Sequence, residues 1–214
     1  MHNRTYELQM SLELMDIGEN NLPDTPLPLF SNWYAAACQN PLHDPSAMTL
    51  ATSDTNGRVA ARVVLLKEHG PDGFVFYTNY HSRKADDLIA NNQAALVFWW
   101  PWLGQQVRVE GRVEKDSPRA ADTYFASRPR DSQIGAWASQ QSEQLPTREH
   151  LQQQFAHYTE KFAGQTVPRP PHWGGYCLNP QRLEFWHDQQ GRLHDRIVYC
   201  LNSDAGWDIQ RLNP

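Results

Sequence analysis

RVAARVVLLKEHGPDGFVFYTNYHSRK, residues Arg58 to Lys84, predicts two β-strands and a helix start that carry four cations, Arg62, Lys67, Arg83 and Lys84, towards one place. The first strand, Arg58 to Lys67, is rich in Val and Leu. Pro71-Asp72-Gly73 follows as a hairpin signal, and Gly73 to Asn79 alternates Phe74, Phe76 and Thr78 against Val75, Tyr77 and Asn79. Ser82 reads as the N-cap of a helix to Asn91, which puts Arg83 and Lys84 in its first turn. Cations there oppose the helix dipole by a few tenths to ~1 kcal/mol unless an anion sits at that end. Such an arrangement in an acidic chain suits a phosphate. The alternative is a set of solvated surface charges.

Outward from this stretch, the other elements follow from periodicity. Leu29 to Gln39 predicts a helix with Phe30, Trp33, Tyr34 and Ala37 on a core face. Met48 to Thr52 and Ala94 to Trp100 predict strands. Gln106 to Glu114 alternates strictly, with Gly111 marking a bulge or a close backbone approach. Ser117-Pro118 opens a helix to Ser127. Residues 127–142 are polar and carry little core signal. Thr147 caps a helix to Ala163 with Leu151, Phe155, Tyr158 and Phe162 as its buried stripe. Three strands, Trp173 to Leu178, Arg182 to His187 and Leu193 to Leu201, precede a last one at Trp207 to Leu212. Short, mostly antiparallel strands with helices inserted between them predict a mainly β (α+β) barrel with peripheral helices. Residues 1–21 read as a mobile arm, and residues 22–214 as a single domain without repeats.

Composition narrows the function classes. The 214 residues carry a net charge of −5, which argues against nucleic acid as a partner, and no run reaches the length of a membrane span. The first residues lack the apolar stretch of a signal peptide, and three cysteines without C-x-x-C spacing suit a reducing cytoplasm. Glycine-rich nucleotide loops, a serine-hydrolase elbow and metal-ligand spacing among the nine histidines are all missing, so no metal is expected.

Two constellations carry chemistry. Tyr124, Arg128, Arg130 and Ser132 bring a phenol, guanidinium forks and a hydroxyl together, a set suited to a phosphate monoester. The alternative is an arginine-decorated helix end. Trp186 with Arg192, His194 and Arg196 reads as a strand face with cations at i, i+2 and i+4, leaving Leu193 and Ile197 for the core. The alternative is an exposed edge strand.

The chain resembles the pyridoxamine/pyridoxine 5′-phosphate oxidase family. The matching stretches are RVVLLK (62–67), FYTN (76–79), SRKADDL (82–88), QVRVEG (106–111), YFASRPRDSQIGAW (124–137), EFW (184–186), RLHDRI (192–197) and the terminal RLNP. The resemblance implies an FMN-binding split β-barrel, a homodimer with FMN at the interface. It implies that Arg62, Arg83 and Lys84 take the FMN phosphate, and that Val63, Val64, Leu65, Lys67, Tyr77 and Thr78 line the flavin. Gln106, Gln141, Ser142, Trp186 and Arg196 complete that site, some of them from the partner subunit. Lys67, Tyr124, Arg128 and Ser132 then hold a substrate phosphate, and Arg192 and His194 contact its pyridine ring as the catalytic pair. The implied reaction oxidises pyridoxamine or pyridoxine 5′-phosphate to pyridoxal 5′-phosphate, with O₂ reduced to hydrogen peroxide. An Arg-Arg-Glu-Tyr segment frequent in the family has no counterpart in register: Gln9-Met10-Ser11-Leu12 stands there. A phenazine-pathway oxidase on the same fold, and a non-catalytic FMN or pyridoxal phosphate carrier, are the competing readings.

Overall fold

Period-two alternation in the strands and one apolar stripe on the first helix build a sheet curled around a single core. The computed structural model describes residues 17 and 22–214. Helix α1 (Pro26–Ala37) leads into β1 (Ala47–Ser53), β2 (Val59–Leu65), β3 (Glu68–Gly70) and β4 (Gly73–Asn79). Helix α2 (Arg83–Ala90), β5 (Gln93–Trp100) and β6 (Gln105–Lys115) follow. Then come α3 (Pro118–Ser127), α4 (Arg130–Ala138), α5 (Arg148–Lys161), β7 (Trp173–His187), β8 (Asp195–Leu201) and β9 (Trp207–Arg211). The nine-stranded sheet runs β2-β1-β5-β6-β7-β4-β3, with β8 added to β7 and β9 to β8. Every pairing is antiparallel. The fold is mainly β with peripheral helices, a split barrel.

Phe30 and Trp33 of α1 sink into the sheet's concave side among Phe74, Phe98 and Phe185, all at most 1% exposed. Phe30 meets Phe74 and Phe98 edge-on at 4.8 and 5.1 Å. A smaller cluster of Phe125, Ile134, Phe162, Val167 and Trp173 joins α3, α4 and α5 to the start of β7.

Several expectations change. The predicted strand 58–67 breaks after Leu65: β2 pairs with β1, whereas the hairpin at Pro71 joins only β3 to β4. The chain still returns to β4, because the Lys67 N–H donates to Val75 O at 2.8 Å, and this brings β2 and β4 together at one end of the barrel. The two strands predicted at 173–187 are one long strand. Its first half pairs with β4 and its second half with β8, and a register shift opposite Glu110/Gly111 lies between. Residues 130–138, read as polar loop, form α4. The stripe of α5 is only half-buried, except at Phe162 just beyond the helix. Of the expected arm, Ile17 alone is described; it is fully buried, and its carbonyl accepts from Arg211. The register Gln9 to Leu12 lies outside the described residues. Among the described residues no helix is long and apolar enough to cross a membrane.

Candidate active site

A cleft of about 700 Å³ opens where the end of β2 and the end of β4 face α3 and α4. Eleven of the residues singled out from the sequence line it: Val63, Val64, Leu65, Lys67, Tyr77, Thr78, Lys84, Tyr124, Arg128, Ser132 and Gln141. The cations divide into two groups along it.

The first group sits at the start of α2. Lys84 Nζ donates to Gln141 Oε1 at 2.7 Å, Ser82 Oγ at 2.9 Å and Thr78 Oγ1 at 3.0 Å. All three partners are neutral. Burial and then the charge of Arg62 push the Lys84 pKa down to about 8. Arg62 is fixed behind it, donating to Thr52 Oγ1 at 2.7 Å, with Asp87 Oδ2 at 3.7 Å. Burial lowers the Arg62 pKa, Asp87 offsets part of this, and the Arg83 charge adds to the lowering. Arg83 itself is exposed. Ser82 stands at the N-cap position but does not cap, because its hydroxyl donates to Asn79 O and accepts from Lys84.

The second group is built on aromatic rings. Tyr77 stacks with both Tyr124 (4.3 Å) and Trp173 (5.2 Å), which also stack with each other at 6.1 Å, and Asp116 Oδ2 accepts from its hydroxyl at 3.2 Å. Lys67 Nζ lies 5.9 Å from the Tyr124 ring centre, and the Arg128 guanidinium lies 4.8 Å from that of Trp173. Arg128 Nη1 is buried without a hydrogen-bond partner, and burial lowers the pKa of the group. Ser132 sits in the first turn of α4, so that helix's N-terminus faces the same cleft. Arg130 does not belong here. It turns away to donate to the carbonyls of Phe162 and Gln165 beyond α5.

None of the remaining residues lines this cleft. Ser142, at φ 75°, lines an adjoining cavity of about 400 Å³ that shares Gln141. Gln106, Trp186 and Arg196 lie side by side across β6, β7 and β8. His194 packs on Trp186 at 4.6 Å, with Nδ1 3.0 Å from Asp188 Oδ1. The expected cation row on one strand is absent: Gly191 and Arg192 take positive φ in a 3₁₀ turn, β8 begins only at Asp195, and Leu193 is 72% exposed. One chain therefore carries the candidate site as two halves. Sequence reasoning missed Thr52, Asp87, Asp116 and Trp173, which hold these side chains; Asp87 alone lay inside a stretch that carries the family resemblance, SRKADDL.

A flavin mononucleotide fits the chemistry of the first half. The ammonium of Lys84 meets only neutral groups, two further guanidinium charges are within electrostatic reach, and apolar strand residues flank them.

Comparison with known proteins identifies the relatives of this chain. Residues 35–162 match the family model "Pyridoxamine 5′-phosphate oxidase", and residues 173–214 match "Pyridoxine 5′-phosphate oxidase C-terminal dimerisation region". A pyridoxine/pyridoxamine 5′-phosphate oxidase of Chromohalobacter salexigens is 53% identical over 193 residues, 90% of each chain. That of Cupriavidus necator is 50% identical over 208 residues, 97% of this chain and 98% of the relative. Among solved structures, PhzG from Burkholderia lata in complex with tetrahydrophenazine-1-carboxylic acid superposes with TM-score 0.87 at 30% identity. The match covers 94% of this chain and 99% of that one.

Proposed function

The chain belongs to the pyridoxamine 5′-phosphate oxidase family, and on that premise we propose that it is an FMN-dependent oxidase making pyridoxal 5′-phosphate from pyridoxamine or pyridoxine 5′-phosphate. The observation that carries this reading is the pair of cation groups at one cleft, with Lys84, Lys67 and Arg128 lining it and Arg62 behind Lys84. Arg62, Arg83 and Lys84 form a group suited to the cofactor's phosphate. Lys67, Tyr124, Arg128 and Ser132 form another, suited to a phosphate on the substrate. FMN, when bound, would supply the two-electron redox chemistry that oxidation of the substrate and reduction of O₂ to hydrogen peroxide require. The chain's own residues bind and orient. The backbone of Val63 to Leu65 with Tyr77, Thr78, Gln141 and Ser142 flanks the flavin. The Arg128 group anchors the substrate away from the reacting carbon, so that its binding energy serves alignment.

The second half, Gln106, Trp186, Arg192, His194 and Arg196, comes in this reading from the other subunit of a homodimer. Four of these five residues lie inside the segment that matches a dimerisation region. One side of β2 exposes Val59 (71%), Val63 (67%) and Leu65 (39%), an apolar strand face that runs into the cleft and that a second copy would cover. Arg192 and His194 then meet the pyridine ring. The free thiols of Cys38, Cys177 and Cys200 fit a reducing cytoplasm.

The test is oxygen uptake by the FMN-loaded protein with pyridoxamine 5′-phosphate, following the aldehyde's absorbance. Uptake with aldehyde formation, absent with unphosphorylated pyridoxamine, is the expected result. A flavin-loaded protein inert to this substrate but active on a reduced phenazine acid would transfer the function to that class. Inertness to both would leave a carrier.

Lys84 predicts a pH dependence. A bound phosphate favours the ammonium and raises its pKa, so cofactor affinity is fully present below pH 8. It falls as pH climbs from about 8 towards the bound-state pKa. The phosphate's own second ionisation, near ~6, is complete by then. Fluorescence titration with FMN between pH 7 and 9.5 should show the decline, and Lys84→Met should flatten it as well as weaken binding. A decline that survives in Lys84→Met would assign it to another group.

A further inference from the structure

Glu184 lies in the second half of β7 with its side chain only 2% exposed, and three arginines converge on it. Its Oε1 accepts from Arg196 Nε at 2.9 Å and Nη2 at 2.7 Å. Its Oε2 accepts from Arg182 at 3.0 Å and Arg108 at 3.3 Å, and Glu110 holds those two arginines from their other side at 2.9 and 2.7 Å. A carboxylate this deep is retained as an anion only by such partners. The opposite edge of Arg196 is held by the end of the chain. Nη1 donates to Asn213 O at 3.0 Å, and the Leu212 N–H donates to Arg196 O at 2.9 Å.

We infer that Glu184 and the Asn213 carbonyl form a two-sided clamp that sets the Arg196 guanidinium for the cofactor, which makes Glu184 a positioning residue. The inference rests on the reading of Arg196 as a cofactor contact. A guanidinium has five N–H donors. The clamp engages three of them and leaves one on each terminal nitrogen, so that Arg196 offers a fixed pair of donors with little side-chain freedom left to lose on binding. Arg182 and Arg108 serve a different end: they share the other carboxylate oxygen and keep the acid charged.

A double-mutant cycle on the full-length protein tests this, read as the FMN dissociation constant by flavin fluorescence. Glu184→Gln keeps the shape but loses the charge and one acceptor. It should weaken FMN roughly tenfold in the natural background and change it little in Arg196→Ala, a coupling expected only if Glu184 acts through Arg196. Equal weakening in both backgrounds would overturn the clamp and leave Arg196 a cofactor contact. Unchanged affinity in Arg196→Ala would overturn the reading of Arg196 and the clamp with it. Should Glu184→Gln not fold, Glu184→Asp carries the same cycle, because it keeps the charge among the arginines but withdraws it by one methylene.

Discussion

Arg128→Ala is expected to lower kcat/KM for pyridoxamine 5′-phosphate by roughly 10²-fold or more while FMN affinity stays unchanged. Hydrogen bonds to charged groups contribute about 1.5–3 kcal/mol each, and a guanidinium fork offers a phosphate two of them. At about 1.4 kcal/mol per factor of ten, two such bonds account for at least that loss. The discrimination between phosphorylated and unphosphorylated substrate should shrink by the same factor, since the lost bonds are those to the phosphate. Stability should barely respond. Arg128 Nη1 is buried without a partner, a condition that costs about 1–3 kcal/mol. Its contacts with the rings of Trp173 at 4.8 Å and Phe125 at 5.7 Å return a comparable amount, about 0.5–2 kcal/mol or more. The two nearly cancel, so the ligand-free variant should melt close to the parent by calorimetry. A variant that loses activity and melting temperature together would make Arg128 a structural residue and remove the substrate-phosphate assignment.

The same residue shows what the sequence could reveal. That Tyr124, Arg128 and Ser132 share one cleft was legible because one helical turn and a following hydroxyl bring them together. Arg130 was misplaced among them because sequence spacing does not show a second helix starting at that residue. Helix α4 was hidden because its buried side holds one large apolar residue, Ile134, beside Gln133, whose amide donates to the Phe125 and Ala126 carbonyls at the end of α3. A helix held by a buried amide leaves no hydrophobic period. The strands from β4 to β6 were legible from composition and alternation. The unity of β7 was not, since Pro180 reads as a strand end. The cation row at 192–196 failed for a local reason: alternation presumes extended backbone, and positive φ at Gly191 and Arg192 breaks it before His194. The division of the candidate residues between the cleft and the face of β6 to β8 has no sequence signal of its own; the resemblance alone implied a site shared between subunits.

Gly111→Ala should be among the most disruptive small substitutions in the barrel. A Cβ at Gly111 would stand 2.1 Å from Asn179 O and 3.0 Å from Asn179 C and Pro180 Cα, all of them backbone atoms that no rotamer change can relieve. Glu110 faces Arg182 and Gly111 faces Pro180, so Gln181 is the extra residue of a bulge on β7. That bulge is also where β7 leaves β4, after Leu178, and takes up β8, at Arg182. Proline is tolerated at this point because a bulge releases it from donating to the ladder. Opening the strands to admit a methyl group would disturb both halves of β7, and with them Gln106, Trp186 and the Glu184–Arg196 pair on the far side. We expect a loss of about 3 kcal/mol or more, at the upper end of overpacking effects. That corresponds to a melting temperature lower by about 6–12 °C for a chain of this size. Bound flavin should fall with it. Gly70→Ala is the control, since a Cβ there meets nothing within 4 Å and φ is not positive. If Gly111→Ala melts with the parent and retains its flavin, the close approach is not what holds the register. The bulge would then be fixed by Pro180 alone.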